Sequence, residues 1–125
     1  MNRTTIKTFV TKRGIDQIQE WIDNLPTRAQ VAIDERIRFL ALGGNWLRPY
    51  AAKLRGYNSI WEIIVLSEKI QYRPLGCKGP GKNVFSILIG ATKKNNRFIP
   101  QNAPRTAEER KRLINQDEGY LNEYF

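Results

Sequence analysis

With 125 residues, 41% hydrophobic and 26% charged, the chain has the composition of one globular domain around one core. The absence of histidine excludes histidine-ligated metal sites and histidine general bases, and a single cysteine excludes an internal disulfide and a zinc site. The formal charge of +9 is concentrated: residues 53–112 hold thirteen basic and four acidic side chains, while 113–125 hold three acidic and no basic ones. The expected partner is therefore a polyanion, foremost a nucleic-acid backbone. No stretch approaches the roughly 18 apolar residues of a membrane span. The opening MNRTTIKTFVTKRG has no apolar leader core, so the expectation is a cytoplasmic protein with no membrane partner.

In chain order, Thr5–Lys12 alternates Ile6, Thr8 and Val10 against Thr5, Lys7 and Phe9 and predicts a strand. Ile15, Ile18, Ile22 and Leu25 recur at helical spacing with Trp21 beside them, and Pro26 ends that helix at Leu25. Thr27 and Gln30 have capping-box spacing and predict a second helix at once, with Ala29, Ile33, Ile37 and Leu40 as its buried stripe and Gly43-Gly44 as its end. Two amphipathic helices joined so tightly form an antiparallel hairpin on one face of a sheet. Ile60–Leu66 is apolar at nearly every position except Glu62 and predicts one central strand. In the next, Ile70 and Tyr72 point one way and Gln71 and Arg73 the other. Val84–Thr92 predicts a strand with Phe85, Ile87 and Ile89 on one face. Pro104, then Thr106 with Glu109 as a second capping box, opens a C-terminal helix carrying Leu113 and Ile114. The acidic, aromatic tail GYLNEYF packs on the sheet or lies over the basic groove. The expected fold class is α+β: a small antiparallel or mixed sheet of about four strands, the helical hairpin on one face, and a short C-terminal helix, all in one domain spanning 1–125.

Gly76-Cys77-Lys78-Gly79-Pro80-Gly81-Lys82-Asn83 nearly matches a P-loop. That motif needs a following helix to cradle phosphate and a hydroxyl for magnesium. Here a strand-like VFSILIG follows and Asn83 replaces the hydroxyl, so the stretch reads as a hairpin loop. Cys77 beside Lys78 reads as a small loop residue rather than a reactive thiol.

Several residues together carry a resemblance. Lys53-Leu54-Arg55-Gly56 precedes a strand containing Trp61-Glu62-Ile63, Tyr72-Arg73 closes the next, and Lys93-Lys94 with Pro100 follows the last. In this series, and in the order strand, helix hairpin, three strands, short helix, the chain resembles the RelE/ParE superfamily of toxins of type II toxin–antitoxin systems, and within it the HigB-type members. The resemblance implies a RelE/ParE-like fold. It also implies a toxin that cleaves mRNA in the ribosomal A site, or one that poisons DNA gyrase. A cognate antitoxin, commonly a dimeric helix-turn-helix protein, is the implied partner besides ribosome and mRNA. Arg73 matches the strand arginine that contacts the scissile phosphate, and Lys93 and Lys94 match a basic pair after the last strand. Two positions depart from the pattern: Ile64 stands where a basic residue is common, and no tyrosine or histidine closely follows Lys94.

RNA cleavage without a metal or other cofactor needs a base at the 2′-hydroxyl, an acid at the leaving 5′-oxygen and cations for the charged transition state. Arg73 suits the last task through two parallel hydrogen bonds, Lys93 or Lys94 suits the acid, and Glu62 the base. Lys53, Arg55 and Arg97 are candidate RNA-backbone contacts, and Trp46 and Phe98, in loops, candidate base-stacking residues. Trp21 belongs to a core stripe. Two readings stay open: a metal-independent endoribonuclease, or a non-catalytic nucleic-acid-binding or gyrase-targeting relative in which Arg73 and Glu62 form only a structural pair.

Overall fold

The computed structural model describes residues 3–125. In chain order the elements are β1 (Thr5–Phe9), α1 (Gln17–Asp23), α2 (Thr27–Ala41), β2 (Ala51–Lys53), β3 (Trp61–Ile63), β4 (Val65–Ser67), β5 (Ile70–Tyr72), β6 (Leu75–Lys78), β7 (Val84–Ile89), β8 (Thr92–Lys94), β9 (Arg97–Ile99), α3 (Ala103–Gln116), a 3₁₀ turn (Glu118–Tyr120) and β10 (Leu121–Glu123). They form a six-stranded sheet, β10-β1-β7-β6-β3-β2, and a four-stranded sheet, β4-β5-β8-β9. The expected α+β class with its helical hairpin and C-terminal helix is present, but the strands are more numerous than the four expected. β1 and β7 pair in parallel, the rest antiparallel. The chain between the parallel pair makes the long crossover such a pair requires, and it includes α1 and α2.

Ile18, Ile22, Ala29, Ile33, Ile37 and Leu40 bury the helical hairpin against Ile6, Ile63, Phe85 and Ile87 of the large sheet. On the opposite face Ala103, Ala107 and Ile114 of α3 pack on Leu54, Ile60, Leu75, Cys77 and Leu88. The large sheet thus lies between two helical layers, each with its own core. Cys77 belongs to the second core, where burial raises its thiol pKa to about 11.

Two expected strands are each broken in two. The run 60–66 splits at Ile64 into β3 and β4, one for each sheet. The Ile64 amide donates to the Tyr50 carbonyl (2.9 Å), and its own carbonyl accepts from Arg36 Nη1 (2.7 Å). The run 84–92 splits into β7 and β8 around Gly90. Within β7 a register shift leaves Leu88 unpaired between Ile87 (opposite Gly76) and Ile89 (opposite Leu75). After this bulge Ile89 packs on the second core, so it does not share a face with Phe85 and Ile87. Residues 76–78, expected as part of the hairpin loop, lie with Leu75 in strand β6, and only residues 79–83 turn before strand β7. No helix follows the glycine-rich stretch.

The first strand stops at Phe9, with Val10 making only an isolated bridge to Asp16. Asp16 then caps α1: Oδ1 accepts from the Ile18 and Gln19 amides (3.1 and 2.9 Å) and Oδ2 from Thr8 Oγ1 (2.7 Å). Ile15 precedes the helix and is exposed. Neither capping box forms. Pro26 occupies the N-cap of α2, and Gln30 Nε2 donates to the carbonyls of Asp23 and Leu25. Asn102 occupies the N-cap of α3 without a side-chain bond, leaving Thr106 inside the helix.

The tail lies on the sheet. β10 pairs with β1 at the edge, Tyr124 Oη donates to Asp34 Oδ1 of α2 (2.7 Å), and Phe125 lies under the Arg38 guanidinium (4.6 Å). Burial and the Asp34 bond push the Tyr124 phenol above its ordinary pKa. The stability it lends is complete below about pH 10, the unfolded value, and is lost as pH rises towards the folded value. Tyr124→Phe should cost about 1 kcal/mol in denaturant unfolding at neutral pH. An unchanged midpoint would show that the tail is not held by this bond.

Candidate nucleic-acid interface

On β3 side chains alternate, so Ile63 enters the first core while Glu62 faces the opposite side. Glu62 is only 2% exposed and meets three cations. Arg73 Nη1 donates to its Oε1 at 2.9 Å, Lys93 Nζ lies 3.8 Å from the same oxygen, and Arg48 Nη2 lies 3.8 Å from Oε2. Arg73 Nη2 donates to Gln71 Oε1 at 2.8 Å, and its buried Nε has no partner among the described residues.

The small sheet sets these distances. Gln71 pairs with Lys93 across β5 and β8, and Lys93 with Phe98 across β8 and β9. The Lys93 ammonium lies 4.9 Å from the centre of the Phe98 ring. Arg73 follows β5 directly, its backbone amide donating to the Ala91 carbonyl at 2.7 Å.

A groove of about 470 Å³ opens above Glu62. Arg48, Lys53, Arg55 and Lys93 supply its charge, and Tyr57 and Phe98 its aromatic rings. Gly56 adopts a φ of 85°, a left-handed conformation open to glycine at little cost, in the turn between Arg55 and Tyr57. Three cations against one carboxylate leave the cluster with a surplus of two positive charges, and the side chain of Arg48 is 70% exposed. Such an arrangement can accept phosphate oxygens, while the carboxylate can orient cations or accept a proton.

Of the expected site residues, the fold brings together Glu62, Arg73, Lys93, Lys53, Arg55 and Phe98. It separates the others. Lys94 pairs with Arg97 across the β8–β9 hairpin, on the face opposite Lys93 and Phe98. Trp46 packs against Phe85 (ring centroids 4.7 Å) beside the first core, on the other side of the large sheet. The sequence reading missed Arg48, Tyr57, Gln71 and Asn96. Gln71 was visible one step before Arg73 on the same strand face. Tyr57 lay beside Lys53-Leu54-Arg55-Gly56, and Asn96 in an Asn-Asn hairpin turn. Arg48, in an irregular loop, had no local signal.

The family model that matches the chain is that of phage derived protein Gp49-like (DUF891), over residues 20–112. The chain belongs to this Gp49-like family. The matched stretch runs from α1 into α3 and contains the whole groove. Gp49-like proteins are a RelE-type family associated with the toxins of toxin–antitoxin systems, which implies a cognate antitoxin as partner. No curated protein and no solved structure matches the chain. Among the described residues, no helix is long and apolar enough to cross a membrane.

Proposed function

We propose that this Gp49-like chain is a HigB-type mRNA endonuclease that works on the ribosome in the cytoplasm, with residues 1–125 acting as one domain. The observation that carries the reading is the cation-surrounded carboxylate at the floor of a groove open to solvent. The scissile phosphate would sit against Lys93 and Arg48, with Lys53 and Arg55 on flanking phosphates and Phe98 or Tyr57 stacked on a base. Arg48 is drawn from Glu62 towards the phosphate, which opens Oε2 to the 2′-hydroxyl. Glu62 takes the hydroxyl proton, O2′ attacks phosphorus, the P–O5′ bond breaks, and Lys93 gives its proton to O5′, leaving a 2′,3′-cyclic phosphate. Arg73 is a positioning residue in this scheme, because both its Nη groups already bond Glu62 and Gln71. Lys94, Arg97 and Trp46 take no part.

Expression without antitoxin should arrest growth and leave cut transcripts. Lys93→Ala should slow cleavage of ribosome-bound mRNA by about 10²–10⁴-fold, the usual worth of a positioned proton donor. Intact transcripts in arrested wild-type cells would overturn the nuclease reading. The depth of Glu62 and the commitment of Arg73 favour a second reading, RNA or gyrase binding without chemistry. It predicts salt-sensitive binding of uncut RNA, or a DNA-damage response in place of cut mRNA.

A further inference from the structure

A second cavity, of about 500 Å³, opens on the face of the large sheet away from Glu62. Gly43, Gly44 and Trp46, which follow α2, form one wall; Lys78, Gly81 and Asn83, at the β6–β7 hairpin, form the other. Its floor is the Trp46 ring tilted over Phe85. Any side chain at Gly44 would collide with the backbone and ring of Phe39, so the loop can lie this close to α2 only with glycine there. Lys78 is the one charged residue lining the cavity among those described, its ammonium 4.7 Å from the Trp61 ring, and Lys82 stands exposed on the same hairpin. Leu42 and Leu47, next in sequence to the lining residues Gly43 and Trp46, are exposed, Leu47 at 64%, as is Phe39 against Gly44. Aromatic floor, aliphatic rim and paired lysines form a surface that nothing in the described fold covers.

We propose that this surface is the seat of a segment of the cognate antitoxin: an acidic peptide that inserts one aromatic or large aliphatic side chain over Trp46 and sets its carboxylates against Lys78 and Lys82. Charge complementarity selects that occupant. The chain carries +9 and the cavity lining holds a cation and no acidic side chain, so an anionic partner is attracted. A second copy of this chain would bring like charges together. An RNA strand would leave Leu42 and Leu47 against sugar and phosphate, with two lysines in place of the four cations of the groove. A buried apolar anchor ringed by polar contacts is the usual energetic centre of a protein interface. The inference rests on family membership, which implies an antitoxin, and not on the nuclease reading.

The test uses the full chain and the antitoxin encoded by the adjacent reading frame, with affinity measured by calorimetry. Leu47→Asp combined with Lys78→Glu should weaken the complex by about 30-fold or more, while Lys93→Ala, in the groove, leaves it unchanged. Both substituted positions are exposed, and an unchanged melting temperature establishes that the variant is folded. Hydrogen exchange should show antitoxin protection at 43–47 and 79–85. An unchanged affinity in the folded double variant overturns the proposal. So does protection of those segments by a short ribo-oligonucleotide and not by the antitoxin. Neither result depends on whether the chain cuts RNA.

Discussion

Glu62→Ala should cost the folded chain about 3–5 kcal/mol, the usual penalty for removing one partner of a buried ion pair. The cost comes from Arg73, whose guanidinium keeps its hydrogen bond to Gln71 but loses its counter-charge while remaining only 9% exposed. Lys93 adds to it, because its ammonium loses the same carboxylate. Glu62→Gln should cost less, since the amide oxygen still accepts from Nη1. Urea unfolding with unchanged m-values checks both. Glu62→Ala combined with Arg73→Met should recover most of the loss, because apolar replacement of a whole buried pair is often near neutral. The recovered variant also separates structure from chemistry. If Glu62 takes the 2′-hydroxyl proton, the double variant is stable and harmless. If the pair is only a brace, growth arrest returns with stability. A wild-type midpoint for Glu62→Ala would show that the pair stabilises nothing.

The elements legible in the sequence were those whose neighbours lie close along the chain. Ile18, Ile22, Ile33, Ile37 and Leu40 recur every three or four residues, and all are buried. The failures share a cause. Ile64 looks like its apolar neighbours, yet its amide and carbonyl are held by Tyr50 and Arg36, fourteen and twenty-eight residues away. Local pattern carries no trace of such partners, so one run was expected where the chain changes sheets. Thr27 and Gln30 have the spacing of a cap, but Pro26 holds the N-cap of α2, and α1 is capped by Asp16, one residue inside the stripe expected to start at Ile15.

The site was legible to the same extent. A lone glutamate inside an apolar strand and an arginine just past the end of a later one were both visible, and they meet at 2.9 Å although β3 and β5 belong to different sheets. Strand alternation separates Lys93 from Lys94, though as adjacent basic residues in sequence they read as a pair. Arg48 was invisible because an irregular loop imposes no period. Its position over Glu62 depends on where α2 and β2 place the ends of that loop.

Gly90→Ala should destabilise the chain by about 3 kcal/mol, the upper end for overpacking. A methyl group at position 90 would overlap the six-membered ring of the Trp21 indole. The indole has little room to retreat, being packed on the first core and edge-on to Tyr72 (centroids 6.3 Å, 66°). If that overlap is the whole cause, Gly90→Ala in a Trp21→Ala background should cost under about 0.5 kcal/mol, a coupling that a double-mutant cycle reads directly. Equal costs in both backgrounds would place the strain elsewhere. The same contact reaches the groove. Gly90 and Ala91 join β7 to β8, the Ala91 carbonyl holds the Arg73 amide, and Lys93 is two residues further on. A shift of about 1 Å in this link moves the ammonium off Glu62, and misplacement on that scale can cost about 10²-fold in rate. If the groove is the proposed nuclease site, Gly90→Ala should therefore weaken growth arrest more than its stability loss accounts for, although residue 90 does not line the groove.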